Sequence, residues 1–267
     1  MRTMKPLLLG IFALAGFTAE AAAQPAVQNW TDRGYFNVSL GGQTGEQEFE
    51  DSSTFTIYGE TGAVATAHSI GGGTLFDISA GARVWKNLGV GIGYSSIKNK
   101  NDATASVRVP HPVVFGQSRV ASATASDLKH TENAVHLQFL WMMPLTNNFQ
   151  LAFVVGPSFF TVRQEVATVR APQDISDVAP FTSVSIRSVT VTDVKDSPVG
   201  VNVGVDGTYV IDRIPGLSMV PERMIGVGGF VRYVGASLDL PVEAGVTRSG
   251  DLKAGGTQAG LGLRLRF

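Results

Sequence analysis

The chain has 267 residues, of which 44% are hydrophobic, and a formal net charge of −1. This near-neutral charge, without a basic patch or a groove-reading motif in the sequence, argues against nucleic-acid binding. The absence of cysteine excludes a disulfide framework and the acylated cysteine of a lipoprotein.

The N-terminal segment predicts a secretory signal peptide. A short basic region with Arg2 and Lys5 precedes an apolar run of about eleven residues, and Ala23 ends a small-x-small pattern suited to signal peptidase. The apolar run is shorter than the roughly 20 residues of a membrane-spanning helix. We therefore expect residues 1–23 to be removed. Because no linker interrupts residues 24–267, we expect them to form one domain.

Eight segments of the exported chain alternate between apolar residues and small or polar residues. This period of two is typical of β-strands, and each segment is about long enough for a tilted strand to cross a bilayer. In chain order the segments span residues 35–41, 76–84, 88–95, 134–143, 151–160, 199–209, 225–233 and 259–267. The last segment places its leucines and Phe267 on one face, with Arg264 and Arg266 on the other.

The predicted connections differ in length between the two ends of the strands. Two tight turns lie at 86–87 and around 146–148, whereas the long connections span 42–73, 98–131, 164–197 and 236–257. This asymmetry is typical of outer-membrane barrels, with short periplasmic turns and long extracellular loops. The connection 212–224 departs from the pattern because it is long for the periplasmic side.

Parts of the long connections are themselves rich in β-forming residues. These parts are Thr54–Tyr58, Ser106–Val109 and Ser183–Val191. We interpret them as hairpin arms that continue above the membrane, where their edges could pair with a partner strand. The alternative is that two of them also cross the bilayer and give ten strands.

The predicted outward aromatic residues lie near the two ends of the strands. Phe36, Trp141, Phe149, Tyr209 and Phe267 lie near one end, and Tyr94, Phe159 and Tyr233 near the other. Such a distribution favours the aromatic girdles that mark the two interfaces of a membrane barrel.

Four stretches, Gly73–Tyr94, Gly156–Phe160, Ile225–Tyr233 and the C-terminal strand, together resemble the small outer-membrane β-barrel domain proteins of the OmpA-like and OmpX-like group. The resemblance implies an all-β fold, a transmembrane antiparallel up-and-down barrel of about eight strands in a Gram-negative outer membrane. It implies outer-membrane lipids and lipopolysaccharide as surroundings, and the barrel-assembly machinery and periplasmic chaperones as partners in biogenesis. Phe267 would then be the C-terminal assembly signal. We expect a monomer without a cofactor.

The interior of a barrel of about eight strands is just wide enough for its own side chains. The inward positions include charged or titratable residues, which we expect to form a polar network that closes the lumen: Asp77, Arg83, His136, Asp206, Arg232 and Arg264. Counting along the neighbouring strands predicts a direct contact between Arg232 and Asp206. The alternative is a narrow, porin-like pore for small solutes or ions.

The sequence predicts no catalytic, cofactor-binding or metal site. His130, Glu132 and His136 share one strand face, but no motif places a serine nucleophile beside either histidine. We interpret His130 and Glu132 as a solvated charge pair at the rim. The prediction is a structural or surface-interaction role without enzymatic activity, and an outer-leaflet lipid-modifying enzyme is the third alternative.

Overall fold

Alternating side-chain polarity gives an all-β chain in the computed structural model, which describes residues 29–45, 47–212, 221–250 and 252–267. The predicted signal peptide, residues 1–23, lies outside the described residues. The strands are β1 (Gly34–Thr44), β2 (Gln47–Ile57), β3 (Glu60–Ile70), β4 (Gly73–Trp85), β5 (Leu88–Pro110), β6 (Ser118–Pro144), β7 (Phe149–Thr168), β8 (Ile175–Ser176), β9 (Ser185–Ile186), β10 (Thr190–Asp196), β11 (Val199–Val210), β12 (Ile225–Ser237), β13 (Val246–Ser249) and β14 (Lys253–Arg266). The described part of the chain contains no helix long and apolar enough to cross a membrane.

Eight of these strands close into a ring in which all neighbours are antiparallel. The order is β1, β4, β5, β6, β7, β11, β12 and β14, and β14 pairs back with β1. These are the strands expected from the alternating pattern, so the prediction of about eight strands is confirmed and the ten-strand alternative is wrong. We call the end of the ring with the tight turn at residues 86–87 the lower end.

Three ring strands continue far beyond the upper end. β5, β6 and β7 have 23, 27 and 20 residues, about twice the length that crosses a bilayer. On this extension β3 pairs with β5, β2 with β3, β13 with β2, and β10 with β7. We call this extension the upper sheet. The β-rich stretches of the long connections lie in strands outside the ring in large part: residues 54–57 are in β2, 106–109 in the extension of β5, and 185–186 and 190–191 in β9 and β10. Their position above a membrane stays a prediction.

The polarity of the two strand faces is exchanged between the ring and the upper sheet, most clearly along β5. Within the ring, Ile92 points outward and is 54% exposed, whereas the inward Ser95 is 1% exposed. Beyond the ring, the outward Lys98 is exposed and the inward Val107 is fully buried. The upper sheet therefore covers an ordinary hydrophobic core, formed by Val64, Ala105, Val107, Val109, Val169 and Ile175. The ring differs: its outward side chains are apolar and exposed, and its inside holds buried polar and charged side chains beside small apolar clusters such as that of Tyr35, Leu140 and Met142.

The ring is narrow because small residues on its inner face allow the backbones of neighbouring strands to approach each other closely. Gly262 of β14 lies opposite Ser39 of β1. A Cβ atom added to Gly262 would stand 1.9 Å from the carbonyl oxygen of Val38. Only glycine fits at this position, as expected where two backbones approach.

Candidate functional site

The ring interior holds two buried ion pairs, the first between β11 and β14. Arg264, which has a fully buried side chain, places Nη2 2.8 Å from Asp206 Oδ2. Its Nε donates to Asp206 Oδ1 at 3.2 Å, and its Nη1 donates to Ser39 Oγ at 2.8 Å. The guanidinium thus binds the carboxylate through two parallel hydrogen bonds. This bidentate geometry is both strong and specific in orientation.

The second ion pair joins β12 to β4 across the interior. Arg232 Nη2 lies 2.6 Å from Asp77 Oδ2, and Arg232 Nε donates to Gln258 Oε1 at 2.9 Å. Gln258 donates to Gln43 Oε1 at 2.8 Å, and Gln43 donates to Glu132 Oε2 at 3.2 Å. A chain of hydrogen bonds therefore runs from the ion pair to the upper end of the ring.

Glu132 and His130 end this chain, and they do not form the solvated pair expected from the sequence. Their side chains are 3% and 4% exposed, and His130 Nε2 lies 2.9 Å from Glu132 Oε1. His130 Nδ1 lies 2.6 Å from Gln164 Oε1, and the amide of Gly255 donates to Glu132 Oε2 at 3.0 Å. The interpretation of a solvated rim pair is wrong because the upper sheet continues above this level and covers it.

His136 stands apart from both ion pairs, between two serine hydroxyls. Its Nε2 lies 2.8 Å from Ser95 Oγ and its Nδ1 2.7 Å from Ser158 Oγ, and Asn202 donates to Ser158 Oγ at 2.9 Å. No sequence motif places a serine beside His136, but the strand register does, because His136 pairs with Ser158. Among the described residues no carboxylate contacts His136, so the group lacks the acid that would orient a general base.

Two arginines at the lower end differ from the expectation. Arg83, predicted within the interior network, instead donates to the backbone carbonyl of Trp30 and is only half-buried. Arg266 was not predicted as a site residue, yet it is 3% exposed and donates to Asn37 Oδ1 at 2.8 Å and Thr208 Oγ1 at 2.6 Å. Its signal in the sequence was its position two residues after Arg264 on the same face.

The predicted contact between Arg232 and Asp206 is wrong. In the β11–β12 register Asp206 lies opposite Phe230, and Arg232 lies opposite Gly204. Arg232 is thus two residues farther up its strand than the prediction required, where Asp77 from the other side of the ring meets it. Arg232 therefore has a carboxylate partner, but this partner is Asp77 and not Asp206.

One small cavity lies inside the ring. A cavity of ≈ 30 Å³ lies among these side chains, lined by Tyr35, Asn37, Asp77, Asp206 and Arg232 together with neighbouring residues. Such a volume holds no more than about two water molecules. Among the described residues, no cluster of three histidine, cysteine or acidic side chains is arranged to hold a metal ion.

Phe267 completes the lower end of the ring through its backbone. Its carbonyl oxygen accepts hydrogen bonds from the amides of Arg33 at 2.6 Å and Gly34 at 2.7 Å, and its own amide donates to Gly34 at 3.1 Å. The phenyl ring points outward and is 62% exposed. The predicted role as an assembly signal stays a prediction.

One buried titratable group lies outside the ring, in the upper sheet. His68 of β3 is 3% exposed and stacks on Phe49 with 4.4 Å between ring centroids. Neither ring nitrogen has a hydrogen-bond partner. Burial lowers the pKa of His68 to about 4, against the opposing effect of Asp51 and with a further lowering by Arg248. The imidazole is therefore neutral at pH 7.

No protein-family model matches the chain, and no curated protein matches its sequence. Among solved structures, the chain is similar to Neisserial surface protein A, with 11% identity and a TM-score of 0.40 over 87% of this chain and 97% of that one. It is also similar to Ail, the attachment invasion locus protein of Yersinia pestis, with 8% identity and a TM-score of 0.37 over 88% and 99% of the two chains. The outer membrane protease OmpT from Escherichia coli has 10% identity and a TM-score of 0.39 over 90% and 99%. Likeness at this level assigns no function.

Proposed function

We propose that the chain is a monomeric, integral outer-membrane β-barrel protein with a closed polar interior and a surface-interaction role. The observation that carries this proposal is the reversed polarity of the ring. A continuous outward belt of large apolar side chains surrounds buried arginines and carboxylates. In water such a belt would be an aggregation liability, whereas in a bilayer it faces hydrocarbon.

The belt covers all eight strands of the ring. Its exposed members include Leu40, Phe76, Ile92, Phe139, Val155, Val203, Val231 and Leu263. On β4 the outward set runs from Phe76 to Val84, a length of about 27 Å along the strand. A tilted strand of that length spans most of a bilayer's hydrocarbon layer. Because the ring is closed, no strand edge is left without hydrogen bonds in lipid.

Outward aromatic residues lie at both ends of this belt. Tyr94, Phe159 and Tyr233 are 40%, 46% and 51% exposed towards the upper end, and Trp141 and Tyr209 are 50% and 53% exposed towards the lower end. Rings at two levels match the interfacial girdles of membrane barrels. The sidedness follows from the connections, since the large upper sheet suits the extracellular side and the tight turns suit the periplasm.

The contacts inside the ring favour a closed lumen rather than a pore. Arg264 and Arg232 each bind a carboxylate, and the cavity lined by Arg232 and by the two carboxylates, Asp77 and Asp206, has a volume of ≈ 30 Å³. An ion would have to displace these pairs to pass. The proposal includes no enzymatic activity, since His136 is 0% exposed and has no acidic partner among the described residues.

The upper sheet supports the surface-interaction role because its long connection is tied to the β5–β6 hairpin and because the hairpin tip presents apolar residues. Arg119 binds Asp177 with Nη1–Oδ1 2.5 Å and Nη2–Oδ2 2.7 Å, which fixes the long connection after β7 against the β5–β6 hairpin. At the hairpin tip Val113 and Phe115 are 76% and 86% exposed. Exposed apolar side chains on a β-hairpin are suited to contact with a partner protein.

The proposal is tested by folding the purified chain, residues 24–267, into phosphatidylcholine vesicles. We expect heat-modifiable electrophoretic mobility, protection of the ring from protease, and no conductance steps in a planar bilayer. A folded, monomeric protein in buffer without any amphiphile would refute membrane insertion. Reproducible conductance steps would refute the closed interior and support the narrow pore. A change in the mass of lipid A on expression would support the lipid-modifying enzyme.

A further inference from the structure

Four adjacent strands show the same succession of outward residues where they leave the apolar belt. The last apolar residues are Tyr94 on β5, Val135 on β6, Phe159 on β7 and Val199 on β11, which lie opposite one another in the sheet. Two residues farther up stand the small polar side chains Ser96, Asn133, Thr161 and Ser197. Two residues beyond these stand Lys98, Thr131, Arg163 and Lys195, again opposite one another.

The three cations of this last row are exposed and have no counterion. Lys98, Arg163 and Lys195 all point outward. Across the described ranges, no carboxylate lies within 4.0 Å of any of them. Neighbouring strands are about 4.8 Å apart, so the row spans roughly 14 Å. Three unpaired positive charges in so short a row repel one another unless an anion lies between them.

The next outward row shows that pairing is available on this surface. Lys100 lies 3.0 Å from Asp127, and Lys129 lies 3.6 Å from Glu165. The other nearby carboxylate, Asp193, is two residues above Lys195 on β10 and farther from the ring. The cations closest to the belt are thus the ones left without protein partners.

Their distance from the belt corresponds to the headgroup region. Each cation stands four residues beyond the last outward apolar residue of its strand, about 13 Å along the strand and about 10 Å along the normal at a tilt of 35–45°. The headgroup layer is roughly 5–8 Å thick on each side of the hydrocarbon, and the flexible stems of lysine and arginine can bend back towards it.

The other ring strands carry no charge at the equivalent position. Four residues beyond their last outward apolar side chains stand Thr44 on β1, Gly72 before β4, Ser237 on β12 and Thr257 on β14. One further exposed cation, Lys253 of β14, lies opposite Ser237, but it stands alone. The row of three cations is therefore found only on the side of the barrel formed by β5, β6, β7 and β10. A general preference for basic residues at the interface would not produce this one-sided pattern.

We propose that Lys98, Arg163 and Lys195 form a site for the phosphate groups of anionic lipid headgroups in the outer leaflet, with the Thr131 hydroxyl between Lys98 and Arg163. This inference rests on the proposed membrane insertion. The guanidinium of Arg163 offers a planar fork for two phosphate oxygens, and the ammonium groups act as point charges beside it. The barrel would then hold phosphorylated lipid on one side only.

The test compares the wild type with two triple variants in vesicles of phosphatidylcholine containing 10% diphosphoryl lipid A. The site variant carries Lys98→Gln, Arg163→Gln and Lys195→Gln. The control variant loses the same charge at exposed cations away from this level, through Lys86→Gln, Arg108→Gln and Arg187→Gln. Native mass spectrometry measures lipid A retained per barrel, and gel mobility measures folding in the same samples. Because each cation near a charged surface is worth about fivefold in affinity, we expect retention to fall on the order of 100-fold for the site variant and little for the control.

The outcomes separate this site from the proposed function. Folded barrels of all three proteins with equal retention would overturn the lipid site and leave membrane insertion standing. Equal losses in both variants would show a net-charge effect and would also overturn it. Failure of the wild type to fold in vesicles would instead refute the proposed function. In detergent, 10 mM inorganic phosphate should not displace the retained lipid A, and full displacement would assign the site to free phosphate.

Discussion

The two interior ion pairs make a prediction about which arginine depends on which carboxylate. Removing one partner of a buried pair costs on the order of 3–5 kcal/mol, because the other charge is left without compensation. Asp77 is 5% exposed in its side chain and Asp206 is 14% exposed. The carboxylate left by Arg232→Ala is therefore the less hydrated one. We expect this loss to lie at the upper end of that range and the loss from Arg264→Ala at the lower end.

Double-mutant cycles separate the true pairs from the crossed pair. The combinations Arg232→Ala with Asp77→Ala and Arg264→Ala with Asp206→Ala should each recover part of the single losses, with coupling energies of about 0.5–3 kcal/mol. The crossed combination of Arg232→Ala with Asp206→Ala is the matched control and should be additive within about 0.5 kcal/mol.

Urea unfolding of vesicle-inserted protein provides the measurement, with fluorescence of the 3 tryptophans as the signal. A crossed coupling as large as the direct ones would mean that the arginines share both carboxylates in a hydrated lumen. In that case the closed interior, and not only the choice of partners, would be refuted.

Three further predictions concern other parts of the molecule. Leu263→Arg should reduce the free energy of unfolding in vesicles by roughly 2–4 kcal/mol, whereas Thr257→Arg, outward on the same strand but beyond the belt, should cost about 0–1 kcal/mol; similar losses would contradict the assigned belt. Since His68 has a lowered pKa of about 4 against 6.5 in the unfolded chain, stability should be fully present above pH 6.5 and should fall by up to about 3 kcal/mol as the pH decreases towards 4. His68→Leu should remove that part of the pH dependence, and an unchanged profile would argue against a buried neutral imidazole. Deleting Phe267 should leave little folded protein in the outer-membrane fraction while Phe267→Tyr should assemble, and normal surface protease sensitivity of the deletion variant would refute its role as an assembly signal.

The ring strands could be predicted from the sequence because the ring leaves each strand with two unlike environments. Ile92 and Gly93, for example, face opposite sides, and the apolar outward set repeats over the whole length of β5 within the ring. A period of two with glycine or serine on one side is a strong local signal. The upper extensions were visible only as β-rich stretches, since their pairing with β2, β3 and β10 depends on contacts distant in sequence.

The partners inside the ring could not be derived in the same way. Strand alternation correctly placed Asp77, Asp206, Arg232 and Arg264 inside, but it does not contain the stagger between strands. The partner of Arg232 comes from β4 across the lumen, and its choice depends on how all the intervening registers add up. A displacement of two residues, which alternation leaves undetected, is enough to exchange one carboxylate for another.

The basic row illustrates a signal that composition conceals. A net charge of −1 and the absence of a lysine-rich run gave no reason to expect a concentrated positive charge. Lys98, Arg163 and Lys195 lie far apart in the sequence, and the antiparallel register of β5, β6, β7 and β10 brings them to one line. The row becomes visible only when each cation is counted from the last apolar outward residue of its own strand.

The polarity of both faces of β5 changes along one continuous strand. Up to Tyr94 the outward side chains are apolar and the inward ones small or polar. Beyond it the inward positions hold Ile97, then the polar Asn99 and Asn101, and then a buried apolar run from Ala103 to Val109. Because side chains alternate with a fixed period, the outward face changes after Tyr94 through residue type alone. The inward apolar run begins at the register shift between Asn101 and Ala103, where β5 and β6 change their pairing. The change on the outward face coincides with the row of small polar side chains that includes Ser96, and Lys98 lies directly beyond it. The same few residues therefore end the outward apolar belt, begin the polar outer face of the upper sheet, and place the unpaired cations at the boundary between them.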